Sequence, residues 1–307
     1  MPKSQSTKST NISKTTKVSK SASEKPKVAK TTKYKSTTTA KTSIIERFTS
    51  KSSNANIATQ LHRLNALHVL VSVIGVVCTL SIMSKLGQQI STGLVVTNEL
   101  AAEGQSRLSP AVHYLYEIDI RYALVAVLMI SLILPLRNVL RPRQYLNDLD
   151  LKKNTLRWID KAIVSGAMMG VLANFCGVQD FMTLKLVGAF MVITAMLGWL
   201  SERQNSSISR DWSAYGISIF TGMVPWLIVL SYSIGTIVWG SNNQSWFVYA
   251  LFASVFAAGI AYALNGFNYI RKYKSWSDYK IVESNYVVID ILNRVAFATI
   301  LIVGLHK

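Results

Sequence analysis

The chain has 307 residues, of which 50% are hydrophobic and only 16% charged, with a net charge of +18 and a mean hydropathy of +0.28. So apolar and charge-poor a composition excludes an ordinary soluble domain and points to a membrane protein. The two cysteines, Cys78 and Cys176, lie inside apolar runs. They read as buried small hydrophobes rather than an extracellular disulfide.

The charge is unevenly placed. Residues 1–43 carry eleven lysines against Glu24 alone, a net of +10, among Ser and Thr. A segment with almost no large apolar side chains cannot bury enough surface to offset its conformational entropy, so disorder is expected. Such a tail can hold its end of the chain inside and lie on anionic lipid head groups, with Ser/Thr phosphorylation as a release. Nucleic acid is the weaker partner. The segment has lysine without arginine, and Tyr34 is its one aromatic, which gives no base-stacking platform. No short apolar segment follows the lysines before residue 66, so no cleavable signal peptide is expected. Residues 44–65, with Ile44, Ile45, Phe48, Ile57, Leu61 and Leu64, suggest an interfacial amphipathic lead-in. The organisation predicted is a basic tail and lead-in over 1–62 and a membrane domain over 63–307.

Apolar runs follow at 66–84, 117–137, 157–177, 181–200, 213–238, 246–270 and 284–305. Each is long enough for a helix to cross a bilayer, which needs about 20 residues. Lys185 in the fourth is close enough to an end to snorkel. The stretch 87–116 is the one long connection on the side expected to be outside. Its STGLVVTNEL sets β-branched residues between turn formers, which predicts a short hairpin. Lys and Arg gather in alternate loops: Arg137, Arg141, Arg143, Lys152 and Lys153; Arg203 and Arg210; Arg271, Lys272, Lys274 and Lys280. Of the other loops, only 87–116 has a clear interior base, Arg107, and those at 177–180 and 240–245 have none. The positive-inside rule then puts the N-terminus inside and, after seven spans, the C-terminus outside. The fold class predicted is an all-α, seven-transmembrane-helix, rhodopsin-like bundle, inverted relative to the usual seven-helix receptor or microbial rhodopsin. The glycosylation sequon at Asn243 lies against the membrane and the one at Asn205 falls inside.

The last run, Tyr286 to Gly304, carries Asp290, Asn293 and Arg294 near its middle. Spacings of three and four place them on one helix face. A charge at mid-membrane is costly unless it faces a protein interior with a partner. No enzyme signature accompanies them: there is no zinc-spaced His/Cys set, phosphate-binding glycine loop or nucleophile beside a base. His113 and Glu117, read as one helical turn apart, are a weak metal pair.

The residues resemble the heliorhodopsins. The third run reads RWIDKAIVSGAMMGVLANFCGVQD, and Arg157, Trp158, Met168, Gly177 and Asp180 match that family's pattern. Val224-Pro225-Trp226 resembles its fifth helix, and Trp246 through Trp276-Ser277-Asp278-Tyr279, Glu283 and Tyr286 its sixth and seventh. The likeness runs over about 60–305. It implies a homodimer in the lipid bilayer, with retinal bonded to a lysine of the seventh helix. Here that position holds Arg294, with Asp290 where the family has serine and Asp160 where it has its counterion glutamate. Arginine cannot form the Schiff base and remains a cation. The family's histidines near the counterion have no evident match. His68 lies several residues away and Pro135 stands at the other place, while Ala257-Ala258-Gly259 is poor in pocket-lining aromatics.

The resemblance therefore implies a photoreceptor-family protein without covalent retinal, leaving non-covalent retinal or another apolar ligand open. Arg294 is expected to pair with Asp160 and Asp290 in the bundle core, with Lys161 competing or snorkelling. A plain intrahelical Asp290–Arg294 bridge is the alternative. Arg157 reads as an inner-surface anchor, Trp158, Trp226 and Trp246 as packing or belt residues, and Met168 and Met169 as core. Sensing, signalling or protein interaction is the expected role. The alternatives are an ion or proton path past Asp160, Asp290 and Arg294, and a membrane tether that uses the basic tail.

Overall fold

The computed structural model describes residues 37–97, 108–207, 210–240 and 244–306. The chain divides into two compact units, Met1–Thr49 and Ser50–Lys307. In the first, the backbone is helical from Thr37. The rest of the expected tail, the sequon at Asn243, Arg107 and Lys307 lie outside the described residues.

The second unit is a helical bundle. Its elements are the continuation of α1 (Thr37–Ile82), a hairpin of β1 (Gly87–Thr97) and β2 (Leu108–Asp119), α2 (Ile120–Leu140), a short α3 (Pro142–Asp150), α4 (Thr155–Phe175), α5 (Phe181–Gln204), α6 (Ser213–Trp239), α7 (Trp246–Arg271) and α8 (Tyr279–Leu305). Six of these helices have stretches long and apolar enough to cross a membrane, among them Asn56–Ile82 of α1. Their outward faces carry Ile133, Phe220, Trp239 and Leu292, all exposed. Such surfaces in water are a liability, and in lipid they are the solvated side. The chain is an all-α integral membrane protein that crosses the bilayer several times, with one small hairpin.

The α4 helix differs. It holds Arg157, Asp160 and Lys161, too many charges to pass as an apolar span. Yet eleven of its 21 residues are buried, against four of the 24 in α5. It packs against α2, α5, α6 and α7 and forms the axis of the bundle. Small residues allow close approach. A Cβ at Gly198 on α5 would overlap the ring of Trp158, so only glycine lets α5 lie this near.

Two cores fill the bundle. Toward the hairpin the packing is aliphatic, around Leu124, Leu128, Met168, Met169, Leu172, Val187, Val229, Leu251 and Leu301. Toward the start of α4 it is rich in tyrosine, around Tyr145, Trp158, Tyr262, Tyr269, Tyr279 and Tyr286. Polar ties hold the helices in register. Asn138 Nδ2 donates to Asn65 Oδ1 at 3.0 Å between α2 and α1. Trp276 Nε1 donates to Asn265 Oδ1 at 2.7 Å, and Asn265 Nδ2 to the Val282 carbonyl at 3.0 Å.

The hairpin expected within 87–116 is present and longer, and its second strand takes the residues read as the outer start of the second run. Ile90 pairs with Tyr116 and Ser91 with Tyr114, so Leu115 is the extra residue of a bulge. His113 and Glu117 therefore lie on a strand, opposite Thr92 and Gln89, not on a helical turn. Near the end of the expected lead-in, Leu61 is fully buried against the tyrosine-rich core. Cys78 and Cys176 are both free. Asn205 is buried, its amide bonded to the Ser201 and Asp211 carbonyls.

Candidate functional site

Two ion clusters and a cavity between them make up the site. The first cluster lies where α1, α4 and α8 meet. Arg294 Nη2 donates to Asp160 Oδ2 at 2.6 Å. Its other terminal nitrogen faces the His68 ring. A guanidinium only donates, so the imidazole nitrogen it meets is an acceptor. Arg294 and Asp160 are 4% and 9% exposed. Beside them, Lys161 Nζ lies 3.7 Å from Asp290 Oδ1 and 3.7 Å from the centre of the Tyr262 ring. Two cations thus meet two carboxylates, the balance that lets charge remain inside a bundle.

Three expectations change here. Asp290 takes Lys161 as its ion-pair partner rather than Arg294, because Lys161 rises from α4 on the side that α8 presents Asp290 to. The intrahelical Asp290–Arg294 bridge does not form, since the guanidinium turns to α4. His68 is not displaced from the site. Its ring meets Arg294 across the α1–α8 contact, which residue counting along the first run misses. Asn293 faces α4 as well, with its amide nitrogen 3.8 Å from Met168 Sδ.

The second cluster lies at the end of the bundle where α4 begins. Arg157, 2% exposed, is ion-paired with Glu202 of α5 and with Glu283 Oε2 of α8, the latter at 3.0 Å. Its guanidinium stacks 3.9 Å above the Tyr286 ring. Glu283 Oε1 accepts from Asn154 Nδ2 at 2.6 Å and from the Tyr145 hydroxyl at 3.1 Å. Glu202 Oε1 accepts from the Tyr279 hydroxyl at 2.7 Å. Burial, then the Glu283 charge, raises the Tyr145 hydroxyl well above the usual phenol range, so it stays a donor. Arg157 is therefore not a surface anchor. It is a buried tie between three helices. Sequence reasoning missed Glu202, Tyr145 and Asn154, and named Tyr279 and Glu283 only through the resemblance, with no partner.

Between the clusters, α4, α5, α6, α7 and α8 enclose a cavity of about 340 Å³, at the small end of ligand pockets, which run from roughly 300 to 1,000 Å³. One part is apolar, with Met191, Ile219, Met223, Trp226 and Phe256. The other holds Trp158, Tyr262, Tyr269, Tyr286, Glu202 and Lys161. The aromatics that Ala257-Ala258-Gly259 lacks thus come from other positions, and Trp158 and Trp226 line the cavity as well as packing. The Trp158 ring N–H and the Tyr269 hydroxyl are buried and without a protein partner. Both are donors that an acceptor on a ligand would satisfy. Arg294 is not among the lining residues. Among the described residues, no His, Cys, Asp and Glu converge as a metal site would need.

A family model for heliorhodopsin matches residues 61–305. The chain belongs to the heliorhodopsin family. That match covers every helix of the second unit and both ion clusters. Comparison with curated proteins returns no match. As a heliorhodopsin, the protein is a membrane protein of the photoreceptor family. Its residues divide in their fit to retinal, the family's chromophore. The aromatic cavity suits a polyene, whereas the guanidinium at 294 has neither the chemistry nor a place on the cavity wall.

Proposed function

We propose that this heliorhodopsin acts as a ligand-responsive membrane receptor, a binding protein rather than an enzyme, in which no chromophore is bonded to the last helix. The observation that carries this reading is Arg294. The side chain at the attachment position is committed to Asp160 and His68, while a cavity with unpartnered donors stands beside it. Both ion clusters border that cavity through Lys161 and Glu202. An occupant can thus shift the contacts of α4 with α5 and α8, and packed helices respond in discrete steps.

The reading includes seven spans, with α4 as the seventh. Its three charges turn inward, so hydropathy undervalues it. It also includes an N-terminus inside and a C-terminus outside. Supporting this, Arg141, Arg143, Lys152, Lys153, Arg203 and Lys272 all fall at the end of the bundle where α4 begins, as the positive-inside rule requires of the inner side. The +10 tail adds attraction to anionic lipid head groups. A homodimer is what the resemblance implies, and cross-linking in membranes tests it.

Titration of the purified protein with retinol, an alcohol that cannot bond to an amine, tests the central claim. Saturable quenching of tryptophan fluorescence is expected, with Trp158 and Trp226 on the cavity wall. Linear, non-saturable quenching would refute a ligand cavity. Protease access to a C-terminal tag on intact cells tests the orientation.

A further inference from the structure

We propose that Lys161 is the covalent anchor of the cavity: its amine takes an apolar, conjugated aldehyde, with Asp290 as the partner of the resulting cation. This rests on the ligand-cavity reading above and goes further than it, since it moves the attachment point from α8 to α4.

Four observations carry it. Lys161 is the one amine among the residues that line the cavity. Its side chain is largely buried, at 16% exposure, against the face of Tyr262. A lysine desolvated in an apolar pocket is the type that proteins use to form bonds with carbonyls. Asp290 stands 3.7 Å away. That is beyond the 2.7–2.9 Å or so of a tight charge-assisted bond, so the carboxylate is near enough to exchange a proton without clamping the amine. Arg294 is held separately by Asp160, so converting Lys161 leaves that pair untouched.

The charge balance of the cluster survives the reaction. The ammonium passes one proton to Asp290, and the freed lone pair attacks the aldehyde carbon. A carbon–nitrogen double bond forms at Nζ, and the carbonyl oxygen leaves as water with the two remaining amine protons. The proton held by Asp290 returns to the nitrogen. The start is an ammonium facing a carboxylate; the end is an iminium facing the same carboxylate, plus water. Neither oxidant nor reductant is needed. The apolar end of the cavity, with Met191, Ile219, Met223, Trp226 and Phe256, selects a flat unsaturated tail.

The test uses the full-length protein with all-trans-retinal as the aldehyde probe and retinol as the non-bonding control. Borohydride then fixes any carbon–nitrogen double bond as a stable amine, and the peptides are mapped by mass. The expected result is a visible absorption band before reduction, one adduct per chain on Lys161, and loss of both in Lys161→Arg. Retinol binding with no adduct, or with an adduct on another lysine, overturns the anchor and leaves the ligand reading intact. Loss of both retinol and retinal binding overturns both. Should Lys161→Arg fail to fold, the peptide map of the unaltered chain decides alone.

Discussion

Arg157 on α4 and Arg294 on α8 are both buried arginines, and their surroundings differ in one respect. Arg157 meets two carboxylates whose remaining oxygens are taken by Tyr145, Asn154 and Tyr279, and its face is covered by Tyr286. Arg294 meets one carboxylate and a histidine, and the second carboxylate nearby is occupied by a lysine held more loosely. The first arrangement ties three helices through one cation shared by two carboxylates. In low dielectric such an ion network fixes helices against each other, because removing the cation strands buried charge. The second has a member left free to react, on the wall of a cavity. The difference separates a strut from a site.

The most drastic way to break this comparison is to exchange the two cations of the cluster around Arg294. With Lys161→Arg and Arg294→Lys together, the amine moves from α4 to α8 while the charge count stays. Retinal is then expected to give no visible band and no adduct at position 161 or 294, read by borohydride trapping and peptide mapping, because residue 294 lies off the cavity wall. A band with its adduct on position 294 would mean that the cavity reaches α8 at this level and that the family's attachment site is closed here by chemistry alone.

Next in size is the strut. Arg157→Met leaves Glu202 and Glu283 buried beside each other without a cation, a loss expected to cost about 3–5 kcal/mol. Thermal unfolding of the purified protein measures it. Adding Glu202→Gln and Glu283→Gln should recover a large part, since neutral amides keep the tyrosine and asparagine contacts. Asp160→Asn is expected to cost less, about 1.5–3 kcal/mol, the range for losing a hydrogen bond to a charged group. His68 still accepts from Arg294, and Asp290 is close by. Equal costs for Arg157→Met and Asp160→Asn would erase the distinction between the two clusters.

The same contrast explains what could be read from sequence. Six spans were legible, since each is an apolar run of bilayer length, and so was the meeting of Arg294 with Asp160, through the resemblance that set one at the attachment position and the other at the counterion position. Which carboxylate Lys161 would choose was not legible. That depends on the rotation of α4 against α8, a property of packing rather than of spacing. The strut was hidden for a more specific reason. Hydropathy ends a span where charges begin, so the fourth run was closed at 200 and the seventh opened at 284. In the structure α5 runs on to Gln204 and α8 starts at Tyr279. Those extra turns contain Glu202 and Glu283. Charges that looked like loop residues are the two carboxylates of the most buried cluster in the bundle.

A third carboxylate, outside the spans, sharpens the comparison at the smallest scale. Asp180 caps α5. One oxygen accepts from the Thr183 backbone N–H at 2.7 Å and its hydroxyl at 2.8 Å, the other from the Gly93 N–H of the hairpin at 3.4 Å. Here a carboxylate is held by dipoles rather than by a cation. The Thr183 N–H above all keeps its carboxyl below the usual carboxylate range. Asp180→Ala should cost about 1 kcal/mol at neutral pH, as the loss of a helix cap does. Because the folded state lowers this pKa, the charged cap's contribution is present above the ordinary aspartate value near 3.8 and is lost as pH falls through the lower folded value. Thermal unfolding across acid pH should therefore show the gap between the unaltered chain and Asp180→Ala closing on acidification. Asp180→Asn, which caps without titrating, should stay level with the unaltered chain at neutral pH and overtake it in acid. A gap that held constant through acid would mean that Asp180 acts by shape alone, and that charge contributes to this fold only where it is buried.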